Sequence, residues 1–419
     1  MRRIIRNAEQ WNESQRNVQF VPLASLDDLL GPINMSFCIS GGERAQRNFV
    51  LLAAIARMVQ DGQRAIVLHA DNLFSDMCLS LQAKEGFKNY LSVICPQNPG
   101  LMPFSGMRHD HVNIVLEKLA NIVGYDRLPA YSRVVGTYMN IVEAFNMQAN
   151  LSFLSILLDA EPQEVKSLLE ERLSNNSKLT PDRINKWMTH IRPDYGSAES
   201  NARDMLLDVV DQLKRAFSDL VSHDSLESSI SLSTAYKSGM VSVVQVPSGS
   251  RIAQAYFASE LDTIMLQANL HEHSSIIIND LAMEPESDMA SVLRKIPVGV
   301  HLGLVSENIP AMLNDVTTSD LLLTKMARTV LFKHNNYVNA ERMARLSPTY
   351  DKLIVEYSSG RGSSGGFFNW TPTKNTDQST RYEKTQVVEP RDLLELRGDQ
   401  MYILDSTIGQ RVLFVDSIF

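Results

Sequence analysis

The sequence predicts an α/β fold with a mainly parallel sheet, interrupted by a long all-helical insertion. Three observations predict it. Short apolar runs alternate with amphipathic stretches through the first hundred residues. From His109 to Ile230 the strand signal fades and helical periodicity takes over. After Met240 the alternation resumes and continues to the end of the chain. Strands that are apolar throughout have no solvent side, so when they alternate with helices they belong to a parallel sheet covered on both faces.

In chain order, "NMSFCIS" (34–40) reads as a buried strand and "RNFVLLAAIARMVQDG" (47–62) as a helix ended by Gly62. "QRAIVLHAD" (63–71) is a second strand, "LFSDMCLSLQAKEGF" (73–87) a second helix, and "LSVICP" (91–96) a strand stopped by Pro96. The helical stretch comes next, with amphipathic runs at 112–123, 139–158, 162–173, 181–191 and 202–221. Pro162 and Pro181 sit where a first helical turn tolerates a missing N–H. Strands then recur at 240–249, 274–283, 298–306, 328–334 and 351–359, with helices at 251–270, 289–296, 320–327 and 337–346 between them. "GRGSSGG" (360–366) reads as a flexible loop by composition, and a short helix (390–397) and two closing strands (400–406, 410–416) complete the chain. The expected division is an N-terminal segment 1–33, one α/β domain built from 34–107 and 236–419, and an all-α domain 108–235.

The chain has 419 residues, 44% hydrophobic and 21% charged, the proportions of an ordinary globular protein. A net charge of −8 argues against a surface that grips nucleic acid by charge alone, and the densest basic run, "MRRIIR", reads as a solvated terminus. Cys38, Cys78 and Cys95 lie in apolar surroundings without CxxC spacing, which predicts buried free thiols in a reducing compartment. No stretch reaches the roughly 20 apolar residues that cross a membrane. The first residues turn polar too soon for a signal peptide, so a cytoplasmic protein is expected.

The stretch "CISGGERAQRNFV" (38–50) lies between a predicted strand and a predicted helix, where a nucleotide-binding P-loop would sit. The P-loop pattern is Gly, four free positions, Gly, Lys, then Ser or Thr; its backbone N–H groups hold phosphates and its hydroxyl binds Mg²⁺. Gly41 and Gly42 can open such a loop. Gln46 replaces the second glycine, Arg47 the lysine and Asn48 the hydroxyl residue. A guanidinium is a broad planar fork and does not fill the slot of a compact ammonium. A P-loop ATPase also needs an apolar strand ending in an acidic pair, one carboxylate for the metal shell and one to activate water. "SSIIINDLAM" has the apolar run followed by Asn279 and Asp280; the competing reading is a buried strand that leads into a helix N-cap. The next strand ends in Ser306 and Glu307.

The order of these elements resembles the type IV coupling proteins of conjugation and type IV secretion, the TraD/TraG family, within the FtsK/HerA group of RecA-like motor ATPases. The resemblance covers about residues 34 to 419. It rests on the P-loop position, the strand "IVLHADN" ending near Asp71, and "ICPQNPGLMPFSG" before the helical stretch. It rests also on the acidic strand at 276–280, the Ser306–Glu307 strand end, and the closing "VEPRDLLELRGDQMYILDSTIGQRVLFVD". It implies a RecA-like P-loop NTPase domain carrying an all-α insertion. It also implies a glutamine sensing the γ-phosphate where this chain has Glu307, a carboxylate that would repel that phosphate.

Four departures, at Arg47, Asn48, Asn279–Asp280 and Glu307, predict that ATP hydrolysis has been given up. The expected protein is a catalytically degenerate pseudo-ATPase, with no catalytic residue and no cofactor, serving as an interaction or recruitment subunit of a type IV secretion or conjugation system. Its expected partners are other components of that machine, including an active coupling ATPase in a ring or hetero-oligomer. DNA contact is left open. The family's N-terminal membrane helices are missing and the sequence opens at Met1, so a soluble relative is expected, at most peripheral at the inner membrane through its partners. The alternative is a divergent active ATPase that binds ATP and Mg²⁺ and translocates DNA or protein, with Asp280 and Glu307 catalytic and Arg47 on the nucleotide. The clusters "HDH" (109–111) and "HEH" (271–273) lack a third ligand group at zinc-like spacing, so no metal site is expected. Ser363 and Ser364 have no identifiable base. Leu154, Ile156 and Leu157 read as core.

Overall fold

The computed structural model describes residues 2–20, 34–125, 129–173, 179–221, 230–267, 274–285, 287–364, 371–407 and 409–416. Their strands are β1 (Val18–Phe20), β2 (Phe37–Ser40), β3 (Arg64–His69), β4 (Leu91–Ile94), β5 (Val241–Gln245), β6 (Ser274–Asn279), β7 (Val300–Ser306), β8 (Arg328–Leu331), β9 (Thr349–Ser364), β10 (Thr371–Gln386), β11 (Met401–Asp405) and β12 (Arg411–Val415). The chain forms two compact units, one of Met1–Gly31, Cys38–Glu43 and Met326–Phe419, the other of Pro32–Phe37 and Arg44–Lys325.

The second unit holds the parallel sheet the sequence predicts, in the order β7-β6-β3-β5-β4. Every neighbouring pair in it runs parallel. All six residues of β6 and all four of β4 are buried, as strands covered on both faces must be. The register sets His69 beside Gln245 on one side and Asn279 on the other, and Asn279 beside Val305. The polar residues that end three apolar strands therefore form one row along the C-terminal edge. Gly303, in β7, is a packing position: a Cβ there would lie 2.7 Å from Phe37 Cζ and 2.9 Å from Ile277 Cγ1.

Between β4 and β5 the described residues form seven helices, His109–Val123, Pro129–Ala144, Leu151–Asp159, Pro162–Glu171, Pro181–Ile191, Ala198–Ala216 and Leu232–Lys237, and no strand. The single helix expected at 139–158 is two. Asn146 adopts φ +54°, and Asn150 caps the second helix by accepting from Phe153 N–H at 2.7 Å. Asparagine favours both roles, the left-handed turn and the cap, so these two residues override the continuous apolar periodicity. Leu154 and Leu157 are core as expected; Ile156 is not, standing 63% exposed. The three cysteines are free and buried.

The first unit orders its strands β1-β12-β11-β8-β2. The closing hairpin β11–β12 is present as read, antiparallel, and β1 pairs with β12 in parallel. The N-terminal residues, read only as a segment, form the helix Arg2–Gln15 and β1. The larger departure is the ribbon β9–β10, 16 residues in each strand, paired antiparallel from Thr349–Gln386 to Ser364–Thr371. It includes 360–364, expected as flexible loop; Gly365 and Gly366 lie outside the described residues. β10, "TPTKNTDQSTRYEKTQ", has no apolar alternation to announce it, and its strand character comes from pairing with β9. Asn12 closes the outer edge of β9 with its side chain, donating to Leu353 O (3.0 Å) and accepting from Leu353 N–H (2.7 Å). Among the described residues no helix is long and apolar enough to cross a membrane.

Gly303→Ala is expected to destabilise the protein by about 1–3 kcal/mol through overpacking against Phe37 and Ile277, measured by urea unfolding.

Candidate functional site

The glycine turn expected to cradle phosphate is built on β2 and the residues after β8. Ser40, N-terminal to the turn, accepts Phe332 N–H at its carbonyl (2.9 Å), and Gly42 N–H donates to Lys333 O (2.7 Å). Gly41 has φ +80°, and a Cβ there would lie 2.7 Å from His334 Cε1 and 2.8 Å from Lys333 O, so the position requires glycine on both counts. The Phe332 carbonyl lies 2.9 Å from His334 Nδ1, which places the ring proton there. Nε2 is then an acceptor, and Ser40 Oγ, 3.1 Å away, donates to it. His334 and Ser40 are both buried. The sequence reading missed this histidine, which follows β8 by three residues and directly follows Lys333.

The helix Arg44–Gln60 starts two residues after Gly42 and puts Gln46, Arg47 and Asn48 in its first turns. Arg47 is only 3% exposed. Its Nη2 donates to Asp280 Oδ2 at 2.7 Å and its Nε to the same oxygen at 3.3 Å. Asp280 comes directly after β6, donates its N–H to Val305 O (2.8 Å) and holds φ +44°, a left-handed backbone that aspartate tolerates better than most residues. It is not a helix N-cap. Arg44 lies 60% exposed with its guanidinium 3.8 Å from Asp71 Oδ1 and 4.0 Å from Asp280 Oδ2.

Beside the ion pair runs a chain of side-chain hydrogen bonds. Asn48 Nδ2 donates to Asp71 Oδ2 (2.7 Å), and Asn279 Nδ2 donates to Asn48 Oδ1 (3.1 Å). The direction is forced: a carboxylate only accepts, so Asn48 turns its amide to Asp71 and presents its oxygen to Asn279. Asp71 uses its other oxygen to cap the helix Asn72–Gln82, accepting from Leu73 N–H at 3.1 Å. His69 accepts Asp71 N–H at Nδ1 (3.2 Å), which leaves the proton of the neutral ring on Nε2. Among the described residues, His69 Nε2 and Asn279 Oδ1 are buried without a hydrogen-bond partner. Burial pulls the His69 pKa down to about 4, with Asp71 opposing the shift.

Of the residues singled out in the sequence, the structure brings together Arg47 with Asp280, and Asn48 with Asn279. Asp71, named in the sequence only as the end of a strand, joins Asn48, and the structure adds Arg44, at the start of a helix, and His69, at the end of an apolar strand. Glu307 follows β7 and is exposed; Gln46 is half-buried. His109, Asp110 and His111 form the first turn of a helix, where Asp110 pairs with Arg108 at 3.0 Å. His271 and His273 lie outside the described residues. Among the described residues no group of three or more His, Cys, Asp or Glu side chains is gathered to hold a metal.

No protein-family model matches the chain, and no curated protein matches it by sequence. Solved structures do. The bacterial conjugative coupling protein TrwBdeltaN70 in its unbound monoclinic form aligns with a TM-score of 0.51 at 14% identity, over 92% of this chain and 86% of that one. Its trigonal form in complex with sulphate aligns with a TM-score of 0.52 at 12% identity, over 96% and 94%. The chain has the α/β fold of a type IV coupling protein, a P-loop ATPase fold with a mostly parallel sheet.

Arg47→Met is expected to cost about 3 kcal/mol by leaving a poorly solvated carboxylate at Asp280, whereas Arg44→Met, on the exposed guanidinium, costs less than ~1 kcal/mol; chemical unfolding of both variants checks the contrast. Between pH 6.5 and about 4 the unfolded chain binds a proton at His69 that the folded chain refuses. Stability therefore falls by up to ~3 kcal/mol as pH drops through that window, and thermal unfolding of His69→Gln should lack this slope.

Proposed function

We propose that this chain is a catalytically silent homologue of the type IV coupling proteins, retained as an interaction or recruitment subunit of a conjugation or type IV secretion machine. The observation that carries the reading is the pairing of Arg47 with Asp280 beside the Asn48–Asp71 and Asn48–Asn279 hydrogen bonds. In a working P-loop ATPase the residues at these positions face phosphate, Mg²⁺ and water; here they satisfy one another.

The residues present fit a nucleotide poorly. A Mg²⁺ shell wants several oxygen ligands at short distance. Asn48 spends its oxygen on Asn279 and its amide on Asp71, and Asp280 spends an oxygen on a guanidinium that cannot lose its charge. Support for the coupling-protein setting comes from the fold shared with TrwBdeltaN70. Fold alone does not assign a partner. The helical stretch 108–235 is the part we assign to an all-α domain, and it carries exposed apolar residues such as Ile156 and Leu168.

A calorimetric titration of the full-length protein with ATP and Mg²⁺ tests the reading. No heat of binding up to millimolar ATP and no turnover with or without DNA are expected, and Arg47→Ala should leave partner binding intact. Micromolar binding with turnover that disappears in Arg47→Ala and Asp280→Ala would establish a divergent active ATPase instead.

A further inference from the structure

The segment that leads into the helical stretch and the segment that leads out of it are tied to each other. Ile230 N–H donates to Gly100 O (2.7 Å) and Met102 N–H to Ile230 O (3.1 Å), a single parallel bridge at Leu101. Ser231 Oγ donates to the Ser105 carbonyl, and Lys237 Nζ to Gly106 O (3.0 Å). Gly106 has φ +76°, and a Cβ there would lie 2.6 Å from Thr234 Oγ1.

Both segments are also pinned to one helix, Arg251–Gln267, by two side chains a turn apart. Tyr256 Oη accepts Phe104 N–H from the entering segment (2.9 Å), and Glu260 Oε1 accepts Ser233 N–H from the leaving one (3.1 Å). Phe104, Tyr256 and Glu260 are fully buried, and Phe104 holds φ +69°, a backbone that a bulky residue adopts only where its surroundings impose it. Phe104 and Phe217 both pack edge-on against Tyr256.

Glu260 is the exceptional member. It is a carboxyl in an aromatic setting, and its Oε2 has no hydrogen-bond partner among the described residues. The titratable group beside it is Tyr256. Cations on its own helix and on the helices packed around it are directed elsewhere: Arg251 to Ile122 O, Lys237 to Gly106 O, Lys118 to Asp262 (3.5 Å), Arg294 to Asp315 (3.6 Å), Arg203 to Leu158 O (2.6 Å), Lys214 to Ser155 Oγ (2.8 Å) and Arg215 to Asp211 O (3.2 Å). Burial raises its pKa to about 7, against the pull of the Ser233 N–H and the Tyr256 hydroxyl.

We propose that Tyr256 and Glu260 form a proton-sensitive clasp at the root of the helical stretch. With Glu260 neutral, the entering and leaving segments are held together on the Arg251–Gln267 helix. With Glu260 ionised, a buried charge without a cation is relieved by local opening that admits water, and the leaving segment is released. The device stands apart from the Arg47–Asp280 site and does not depend on whether nucleotide binds.

Hydrogen exchange of the full-length protein from pH 6 to 8, corrected for the intrinsic rate of each amide, tests it. Protection of peptides covering 100–107 and 230–238 should fall by up to about tenfold per pH unit as pH rises towards the midpoint near 7 and level off above it, while β3 and β6 hold theirs. In Glu260→Gln, protection of the same peptides should not change with pH. Equal loss in wild type and variant, or loss spread evenly to β3 and β6, would overturn the clasp. A carboxyl ¹³C titration of wild-type Glu260 tests the same idea without a variant, and a midpoint in the ordinary range near 4.5 would sink it.

Discussion

A guanidinium taken out of water must be met by an anion, and arginine cannot evade the demand by releasing its proton. Arg47 is in that position. It lies in the first turns of a helix whose inward residues after Asn48 are apolar, Val50, Leu51, Ala54 and Ile55 among them, so the helix delivers the charge to the end of the sheet. Asp280 is the carboxylate placed to receive it, and the placement depends on β6 ending at Asn279 and on a left-handed turn immediately after. The pair thereby fixes the first turn of the helix against the end of β6.

The amide chain shows that the departures from a P-loop pattern are coupled. Asp71 is committed to capping the helix Asn72–Gln82 and offers its second oxygen as an acceptor. A hydroxyl at position 48 could donate to it, but a carboxylate at position 279 would then sit close to Asp71 with no metal to separate two like charges. With asparagine at both positions the chain holds one carboxylate, Asp71, which accepts from Asn48 at one oxygen and has the Arg44 guanidinium 3.8 Å from the other. Asn48 and Asn279 make sense together, and each would leave the other with an unsatisfied buried group if replaced alone.

The parts of this fold that were legible in the sequence are those where the hydrophobic effect acts alone. The runs of β3, β5 and β6 are apolar because both faces are buried, and their order around a helical stretch was readable from periodicity. Periodicity failed where polar side chains make the decision. Asn146 and Asn150 divide what looks like one helix, and β10 is a strand only because β9 is beside it. In the site, Arg47 and Asn48 could be picked out from the P-loop spacing that starts at Gly41, and Asn279 and Asp280 from the end of an apolar strand, but their pairing could not. Asp71 looked like a strand end and proved to be a helix cap that anchors the amide chain. His334 and its contact with Ser40 join residues 294 apart in sequence, and no local pattern carries such a contact.

The architecture also explains how polar residues at this edge can be exchanged without loss of the fold. Stability in a parallel sheet of this kind comes from the apolar interior of the strands, and the register that aligns Ala65–His69 with Ser275–Asn279 is set by those residues. At the C-terminal edge β3, β5 and β6 each end in one polar residue, and the packing beneath does not depend on which polar residue it is, provided each finds a partner. That proviso is the real constraint. A lone exchange at the edge strands a buried donor, acceptor or charge, whereas a set of exchanges that closes on itself, as Arg47 with Asp280 and Asn48 with Asn279 and Asp71, restores satisfaction at every position but His69 Nε2 and Asn279 Oδ1.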